Sequence, residues 1–406
     1  MSGHTPDDDS RLNPGPAEGR LPRGILVLGL VSMLMDISSE LIHSLLPVFM
    51  ASVLGASMMT IGVVEGVAEA TAAITKVFSG VISDFVRKRK LLVLIGYGLG
   101  AITKPFFPLA NTIGWVFAAR FVDRIGKGIR NAPRDALIAD ITPFKLRGAA
   151  YGLRQSLDSV GSFLGPLLAV GFMALFAGDI KLVLWIAVLP AFLSVALLAV
   201  GVKEPERPVS TTTSRILFNR QSLTRLPFEY WMIVMLGGFF TLSRFSEAFL
   251  LLRVQDVGLA IALVPITMIV MNVVYSVFAY PAGILADRVR PGSLLASGLV
   301  VLIISDAVLA TATTPVVALV GAALWGLHMA LTQGLFAKLV ADAAPDHLRG
   351  TAFGMFNLVS GISLLLASVI AGGLWSQFGP AITFVAGAGF ASLALAGLVV
   401  YRWRQA

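Results

Sequence analysis

Long apolar stretches alternate with short polar turns along almost the whole chain. A helix needs about 20 apolar residues to cross the hydrocarbon layer of a bilayer. Because backbone polar groups in lipid must be hydrogen-bonded internally, such tracts predict helices and not open strands. The predicted spans are residues 25–50, 59–83, 91–110, 113–136, 150–177, 181–201, 229–252, 261–284, 293–313, 316–340, 349–375 and 380–402.

One long polar connection interrupts this pattern after the sixth span. Residues 202–228 are rich in Pro, Thr and basic residues, whereas several of the other connections are turns of a few residues. We therefore expect an N-terminal six-helix bundle at 25–201, a cytoplasmic linker at 202–228 and a C-terminal six-helix bundle at 229–406. Residues 1–24 have no apolar core, so they are expected to form a disordered cytoplasmic tail and not a signal peptide.

The two halves share a repeated stretch. Eight of the fourteen positions from 139 to 152 are identical to the residues 202 positions later. The shared residues are Ala139, Asp140, Pro143, Leu146, Arg147, Gly148, Ala150 and Gly152, which recur as Ala341, Asp342, Pro345, Leu348, Arg349, Gly350, Ala352 and Gly354. A repeat of half the chain indicates a duplicated bundle and not a solenoid. Two such bundles, related by a pseudo-two-fold axis along the membrane normal, typically hold a substrate cavity between them.

Composition and charge support an all-α membrane protein. The 406 residues are 56% hydrophobic and only 13% charged, with a mean hydropathy of +0.84, so polar residues are too few to cover a soluble surface. The net charge of +8 does not indicate nucleic-acid binding, since one set of loops holds most of the basic residues and the other only Lys181 and Arg253. This bias predicts that both termini are cytoplasmic. Cysteine is absent, which excludes disulfides and thiolate metal sites.

Several of these features together resemble the major facilitator superfamily. The resemblance rests on the twelve spans, the long central connection and two short turns of the pattern Gly-x-x-x-Asp. In the fourth span, Arg124-x-x-Lys127-Gly128-x-Arg130 resembles a motif associated with proton coupling. In the fifth, Gly161-x-x-x-Gly165-Pro166 resembles the start of a helix-packing motif typical of antiporters, although Ala169 and Val170 stand where two glycines are common. The resemblance implies two six-helix bundles and secondary active transport by alternating access.

The Gly-x-x-x-Asp turns are expected to form a cytoplasmic gate. In the superfamily, such Asp residues pair with basic residues of a neighbouring helix end when the cytoplasmic side is shut. An Asp at a helix C-terminus is unfavourable beside the helix dipole, which supports a role of this kind over a purely local one. The first turn departs from the family pattern at Phe85. The predicted gate residues are Gly80, Asp84, Arg147, Gly283, Asp287, Arg288 and Arg349.

The predicted spans of the first half contain an unusual number of charges. Six acidic and six basic residues would together cost about 30–40 kcal/mol if each were unpaired at mid-membrane. They must therefore face inward and pair, or line a hydrated cavity. The second half holds fewer polar groups, chiefly Arg244, Glu247, Asp306 and His328. The predicted coupling and substrate residues are Asp36, Glu40, His43, Glu65, Glu69, Lys104, Arg120, Asp123, Arg124, Lys127, Arg154 and Asp158.

Helical spacing places these charges on stripes. Asp36, Glu40 and His43 share one face of the first span, and Glu65 and Glu69 share one face of the second. Basic stripes on the fourth and fifth spans could face these acids. For any single residue a structural ion pair is an equally good interpretation, but for the set we expect proton coupling, led by Asp36, Glu40, Asp123 and Asp158. An anion site on the basic stripe, or a divalent-cation site at Asp36, Glu40 and His43, are the alternatives.

The sequence thus predicts proton-coupled export of a small molecule across a bacterial inner or plasma membrane. The alternatives are uptake or exchange of an organic anion, divalent metal efflux, and a membrane sensor that does not transport. No phosphate-binding loop or hydrolytic constellation is found, so no enzyme, cofactor or resident metal is expected. The expected partners are the substrate, protons and the lipid bilayer, but not nucleic acid, and a monomer is sufficient.

Overall fold

A computed structural model describes residues 21–86, 88–204, 223–345 and 348–403, except for the side chains at 81, 84–86, 145, 287 and 401–403. The predicted tail and linker therefore lie largely outside the described residues, and both stay predictions. Each of the twelve predicted segments corresponds to one helix or to consecutive helices, here called spans 1 to 12. Ten of these are long and apolar enough to cross a membrane by length and composition.

The first six spans have these bounds. Span 1 is Arg23–Val48 with a π-helical extension at Phe49–Val53, span 2 is Met58–Val86, span 3 is Arg89–Thr103 with Phe106–Leu109, span 4 is Ile113–Ile141, span 5 is Arg147–Leu175, and span 6 is Ile180–Ile186 with Val188–Gly201. Span 4 fails the apolar criterion because of the charges along it, five of which are buried in the bundle: Arg120, Asp123, Arg124, Arg130 and Arg134.

The last six spans follow the same order. Span 7 is Phe228–Leu242 with Ala248–Asp256, span 8 is Ile266–Arg288, span 9 is Pro291–Thr311, span 10 is Pro315–Thr332 with Leu335–Ala343, span 11 is Arg349–Phe378 and span 12 is Pro380–Trp403. The prediction of continuous helices at 229–252 and 316–340 was wrong in two places. Span 7 is broken between Leu242 and Ala248, and span 10 is broken at Gly334, whose φ of 74° is readily available only to glycine.

Equivalent spans of the two halves make equivalent contacts. Span 1 packs on spans 5 and 6, span 2 on span 4, and span 3 on spans 4 and 6. Adding six to each number gives the contacts of the second half, in which span 7 packs on spans 11 and 12, span 8 on span 10, and span 9 on spans 10 and 12. The chain is thus an all-α membrane protein of two six-helix bundles with pseudo-two-fold symmetry.

Spans 2 and 11 form the main contact between the bundles, and spans 5 and 8 form the symmetry-related one. We call the face at which span 1 begins the basic face, since it holds Arg23, Arg147 and Arg349. Close contacts between spans 2 and 11 run from the opposite face to the middle of the molecule. The Met59 amide donates to the Ser376 hydroxyl at 3.0 Å, and Gly62 lies directly against the Ser368 carbonyl. The bundles therefore meet tightly at the opposite face.

Span 5 lies against span 1 through the predicted glycines of the packing motif. A Cβ added at Gly161 would lie 2.7 Å from the Met33 carbonyl oxygen, and one at Gly165 would lie 2.9 Å from the Ile37 carbonyl oxygen and 2.8 Å from the Glu40 Cβ. Pro166 follows inside the same helix and is buried. Since neither glycine can gain a side chain without moving backbone, this stretch sets the distance between span 5 and Glu40.

Gly165→Ala is expected to destabilise the N-terminal bundle by about 1–3 kcal/mol because the new methyl group would meet backbone of span 1. Gly171 is the matched control, since it lies on the same helix with nothing within 4 Å of its added Cβ. Gly171→Ala should be neutral or slightly stabilising. Melting temperatures of the purified variants in detergent test this pair. Equal melting temperatures would contradict the packing role of Gly165.

Candidate functional site

A cavity of about 370 Å³ lies between the two bundles and is lined by both. Spans 1, 2, 4 and 5 contribute Glu40, His43, Glu69, Arg124, Lys127 and Ser162. Spans 7, 8, 10 and 11 contribute Phe240, Thr241, Arg244, Phe245, Ser246, Glu247, Met268, Asn272, Trp325 and Leu364. The two sides differ in chemistry, since the first bundle supplies acid–base pairs and the second supplies aromatic rings with isolated charges.

His43 connects the cavity to the interior of the first bundle. Its Nδ1 lies 3.4 Å from Glu40 Oε2, and its Nε2 lies 3.9 Å from Glu65 Oε2. Glu40 and His43 are three residues apart on span 1, so they meet on one face of that helix. Glu65 is fully buried on span 2. The three side chains form a row from the cavity wall to a buried carboxylate.

Glu65 is the point at which this row reaches the second bundle. Arg120 of span 4 donates to Glu65 Oε2 at 2.6 Å, with the side chains only 2% and 0% exposed. The Ser246 hydroxyl of span 7 donates to the same oxygen at 3.5 Å. A single carboxylate oxygen thus accepts from spans 4 and 7, which belong to different bundles.

A second acid–base pair lies one helical turn further along spans 2 and 4. Arg124 Nη1 lies 3.4 Å from Glu69 Oε1, and Arg124 Nε lies 3.6 Å from Asp123 Oδ2. Both Glu69 and Arg124 line the cavity, together with Lys127. The predicted facing of acids on span 2 and bases on span 4 is therefore what the structure contains.

Asp123 and Lys104 lie behind this wall and not on it. Lys104 Nζ donates to Asp123 Oδ1 at 2.9 Å and to the Ser39 hydroxyl at 3.0 Å. Both members of the ion pair are almost fully buried. Neither side chain lines the cavity, so the position of this pair supports a structural role that ties spans 1, 3 and 4 together.

Arg154, Asp158 and Asp36 form a separate group nearer the basic face. Arg154 pairs with Asp158 on its own helix and with Asp135 of span 4 at 3.1 Å. Asp36 on span 1 lies against Gly161 of span 5 and does not line the cavity. The basic stripe of span 5 therefore does not face acids of spans 1 and 2, because its arginine is paired with acids of spans 4 and 5.

The predicted gate residues are described only in part. The side chains of Asp84 and Asp287 lie outside the described residues, so their pairing stays a prediction. Gly80 lies near Ala132 of span 4, and Gly283 has open space around it. The Arg147 guanidinium stacks over the Phe144 ring at 5.4 Å, the Arg349 Nε donates to the Ala341 carbonyl at 3.3 Å, and Arg288 is exposed.

The sequence did not single out the contribution of the second bundle. Arg244, Phe245, Ser246 and Glu247 lie in the break of span 7 and line the cavity. Asn272 donates its side-chain amide to the Ser162 carbonyl at 3.2 Å, across the two bundles. The sequence does show two opposite charges, Arg244 and Glu247, close together inside the predicted span 229–252. Nothing in the pattern indicated that the helix stops between them.

The described residues contain no cluster of three or more His, Asp or Glu side chains with the geometry to hold a metal ion. Two related bundles that enclose a cavity lined with charged groups and are closely joined at one face are an arrangement typical of membrane transporters. The sequence model of the Major Facilitator Superfamily matches residues 28–368 and 248–406. The chain belongs to this superfamily and is a secondary transporter, which points away from an enzyme.

Named relatives and solved structures agree with this assignment. The chain is 34% identical to an uncharacterized MFS-type transporter of Methanocaldococcus jannaschii, over 90% of this chain and 92% of that protein. It resembles the crystal structure of a mutant of the nucleoside transporter NupG with a TM-score of 0.75 at 16% identity, covering 93% of this chain and 99% of that one. A peptide-bound POT family transporter gives a TM-score of 0.77 at 14% identity, covering 94% and 96%. At such identities the structural likeness concerns the fold alone.

Proposed function

We propose that this chain is a proton-coupled antiporter that exports a small molecule through the central cavity. The observation that carries the proposal is the row Glu40, His43 and Glu65, which leads from the cavity to a carboxylate contacted by both bundles. All three groups can exchange protons, and no other row of this kind is found among the described cavity residues.

Protonation at this row would act on the contact between the bundles. As a carboxylate, Glu65 accepts hydrogen bonds from Arg120 and Ser246. A protonated Glu65 carries one acceptor fewer and no charge, so its hold on Arg120 and on the break of span 7 is weaker. A proton that reaches Glu65 through His43 would thus favour movement of one bundle against the other. Proton occupancy and cavity access are linked if the two conformations bind the proton with different affinity.

The proposed direction rests on the packing of span 5. The glycines that resemble the antiporter motif, Gly161 and Gly165, lie directly on span 1 at Asp36 and Glu40. A change in the charge of either carboxyl group can therefore alter the packing of span 5 on span 1. With both termini in the cytoplasm of a bacterial-type inner membrane, as the distribution of basic residues favours, protons would enter as the substrate leaves.

The alternative of an organic anion on the basic stripe has less support. Arg120, Arg124 and Arg154 each have an acidic partner within 3.4 Å, so binding an anion there would require these pairs to separate. Lys127 lines the same wall with no ion pair in the described part of the chain. One lysine is a weaker basis for anion uptake than the intact stripe that the sequence suggested.

Glu40→Gln is expected to abolish transport driven by a pH gradient while leaving substrate exchange intact, since the amide cannot release a proton but keeps a similar shape. Compounds that raise the melting temperature at pH 6 and pH 8 would first be identified by a screen of antibiotics, organic anions and divalent metals. Uptake of a labelled hit into inside-out proteoliposomes is then measured with and without a pH gradient. Glu229→Gln is the control, because Glu229 is exposed at the start of span 7.

Gradient-driven accumulation by Glu40→Gln at the wild-type rate would contradict the coupling role. If accumulation in wild-type vesicles requires the opposite gradient, the chain is an importer and the direction proposed here is wrong.

A further inference from the structure

The break in span 7 is a built feature of the cavity. The helix ends at Leu242 and resumes at Ala248. The Ser246 amide donates to the Ser368 hydroxyl at 3.2 Å, and the Ser246 hydroxyl accepts from the Ala248 amide at 3.3 Å. Irregular backbone at membrane depth is tolerated where it is buried in protein or lines a cavity, and in transporters such breaks often surround the substrate.

Two opposite charges from this break reach the cavity without an ion-pair or hydrogen-bond partner among the described residues. Arg244 and Glu247 both line the cavity and are half-buried. Among the described residues neither makes an ion pair or a side-chain hydrogen bond, and the two attract each other only through the electrostatic field and not by direct contact. On the facing wall, by contrast, Glu40 lies beside His43 and Glu69 beside Arg124.

Isolated charges at this depth are expensive and are usually retained for function. An Arg244–Glu247 ion pair would have removed most of that cost. Instead, the break holds the guanidinium and the carboxylate apart, so each can accept a partner that enters the cavity. A ligand with both a negative and a positive group would satisfy the two at once, whereas an anion or a cation alone would leave one of them unsatisfied.

Aromatic side chains cover the space around these charges. The Arg244 guanidinium lies 5.6 Å from the centre of the Phe240 ring, and the Phe245 ring lies 5.5 Å from that of Trp325. All three rings line the cavity. Flat apolar surfaces of this kind favour an aromatic or otherwise apolar body between the two charged ends.

We propose that the break in span 7 binds a small aromatic zwitterion: Arg244 takes its carboxylate, Glu247 takes its ammonium group, and Phe240, Phe245 and Trp325 pack against its ring. The planar guanidinium suits a carboxylate because it can donate two parallel hydrogen bonds. The inference rests on the proposed function, since it names the substrate class of the same cavity.

Three indole compounds with matched rings test the assignment: tryptophan as the zwitterion, tryptamine as the cation and indole-3-propionate as the anion. Binding to the purified full-length protein is measured at pH 7 by isothermal titration calorimetry. Tryptophan should bind roughly tenfold to a hundredfold more tightly than either of the others, since each lacks one charge-assisted contact. Absence of tryptophan binding, or equal affinity for all three, would overturn the proposal.

Two variants separate the ends of the site. Arg244→Gln should weaken tryptophan and indole-3-propionate by about tenfold or more and leave tryptamine unchanged, while Glu247→Gln should weaken tryptophan and tryptamine only. Since neither side chain has an ion pair or a side-chain hydrogen bond to lose among the described residues, both variants should melt within a few degrees of the ligand-free wild type, which shows that they are folded. The same loss for all three compounds in both variants would refute the assignment of the two ends.

Binding and coupling fail separately in this design. If tryptophan binds with the crossed pattern of the two variants but no flux follows a pH gradient, the zwitterion site stands and the proton-coupled antiport is wrong. If gradient-driven flux of another compound depends on Glu40 while tryptophan does not bind, the antiport stands and the zwitterion site is wrong.

Discussion

Arg120→Leu is expected to lower the free energy of unfolding by about 3–5 kcal/mol, because it leaves the Glu65 carboxylate buried without its partner. The pair is almost completely enclosed, with a 2.6 Å contact and side chains 2% and 0% exposed. The other neighbours of this carboxylate are His43 at 3.9 Å and the Ser246 hydroxyl at 3.5 Å. Neither can replace the short, charged hydrogen bond that the guanidinium donates. Unfolding of the purified protein in mixed micelles, followed by Trp fluorescence, measures the change.

The double variant Arg120→Leu with Glu65→Leu distinguishes a buried charge from lost packing. Replacing a whole buried ion pair by apolar residues is often neutral or stabilising, so the double variant should recover most of the stability. Lys88→Leu is the control for removing one basic residue, since Lys88 is exposed on the basic face, and it should change stability by no more than about 0.5 kcal/mol. A double variant as unstable as Arg120→Leu would mean that the size and shape of Arg120 matter and its charge does not.

Gly372→Ala is expected to abolish transport by keeping the opposite face open. A Cβ at Gly372 would lie 2.5 Å from the Met58 carbonyl oxygen, and one at Gly62 would lie 2.3 Å from the Ser368 carbonyl oxygen. In both cases the new methyl group meets backbone of the other bundle, which cannot move aside without separating spans 2 and 11. The conformation closed at the opposite face is therefore penalised, while a conformation open there is not.

The chain offers a neighbouring control for this prediction. A Cβ at Gly373 would make an ordinary contact of 3.6 Å with the flexible Met59 side chain, so Gly373→Ala should transport normally. Because the chain contains no cysteine, single cysteines introduced at Thr112 and Gln377 can be spin-labelled without background. Both positions are exposed at the opposite face, one in each bundle. Pulsed electron–electron double resonance should show a longer distance between the two labels in Gly62→Ala and Gly372→Ala than in the wild type. An unchanged distance distribution would show that the close packing of spans 2 and 11 does not hold the opposite face shut.

The effects predicted for Arg120→Leu and Gly372→Ala depend on contacts between spans that could not be predicted from the sequence. Glu65 and Glu69 were placed on one stripe of span 2, and Arg120, Arg124 and Lys127 on one stripe of span 4, by helical spacing alone. Spacing within a helix does not say how far that helix is rotated or which neighbour it faces. Span 1 illustrates this limit, since Glu40 lines the same cavity as Arg124 and Lys127 but has its ion-pair contact with His43 of its own helix.

Asp123 and Asp158 show the same limit for candidate function. The sequence ranked both with Asp36 and Glu40 as coupling residues, because all four are acids inside predicted spans. In the folded chain Asp123 is enclosed with Lys104, and Asp158 is bound to Arg154, while Glu40 opens on the cavity. Whether an intramembrane acid can exchange protons with the cavity depends on which side of the bundle it faces.

Amino-acid order alone determined the number of spans, the duplication and the membrane class. Apolar length and the 202-residue repeat are properties of the chain itself, and lipid leaves the backbone of an apolar segment few choices other than a helix. The packing role of Gly161 and Gly165 could also be predicted, because glycine has no side chain and so permits two helices to approach closely.

Tertiary structure alone decided which charges are paired, which face the cavity and where span 7 stops being helical. These outcomes depend on contacts between residues far apart in the chain, such as Ser246 with Glu65 and with Ser368. The 243–247 segment contains no proline or glycine that would end a helix by itself. Its backbone leaves the helix where Ser368 of span 11, within the same bundle, and Glu65 of span 2, in the other bundle, both contact Ser246. The contact with Glu65 and the cavity that accommodates Arg244 and Glu247 exist only once the two bundles have met.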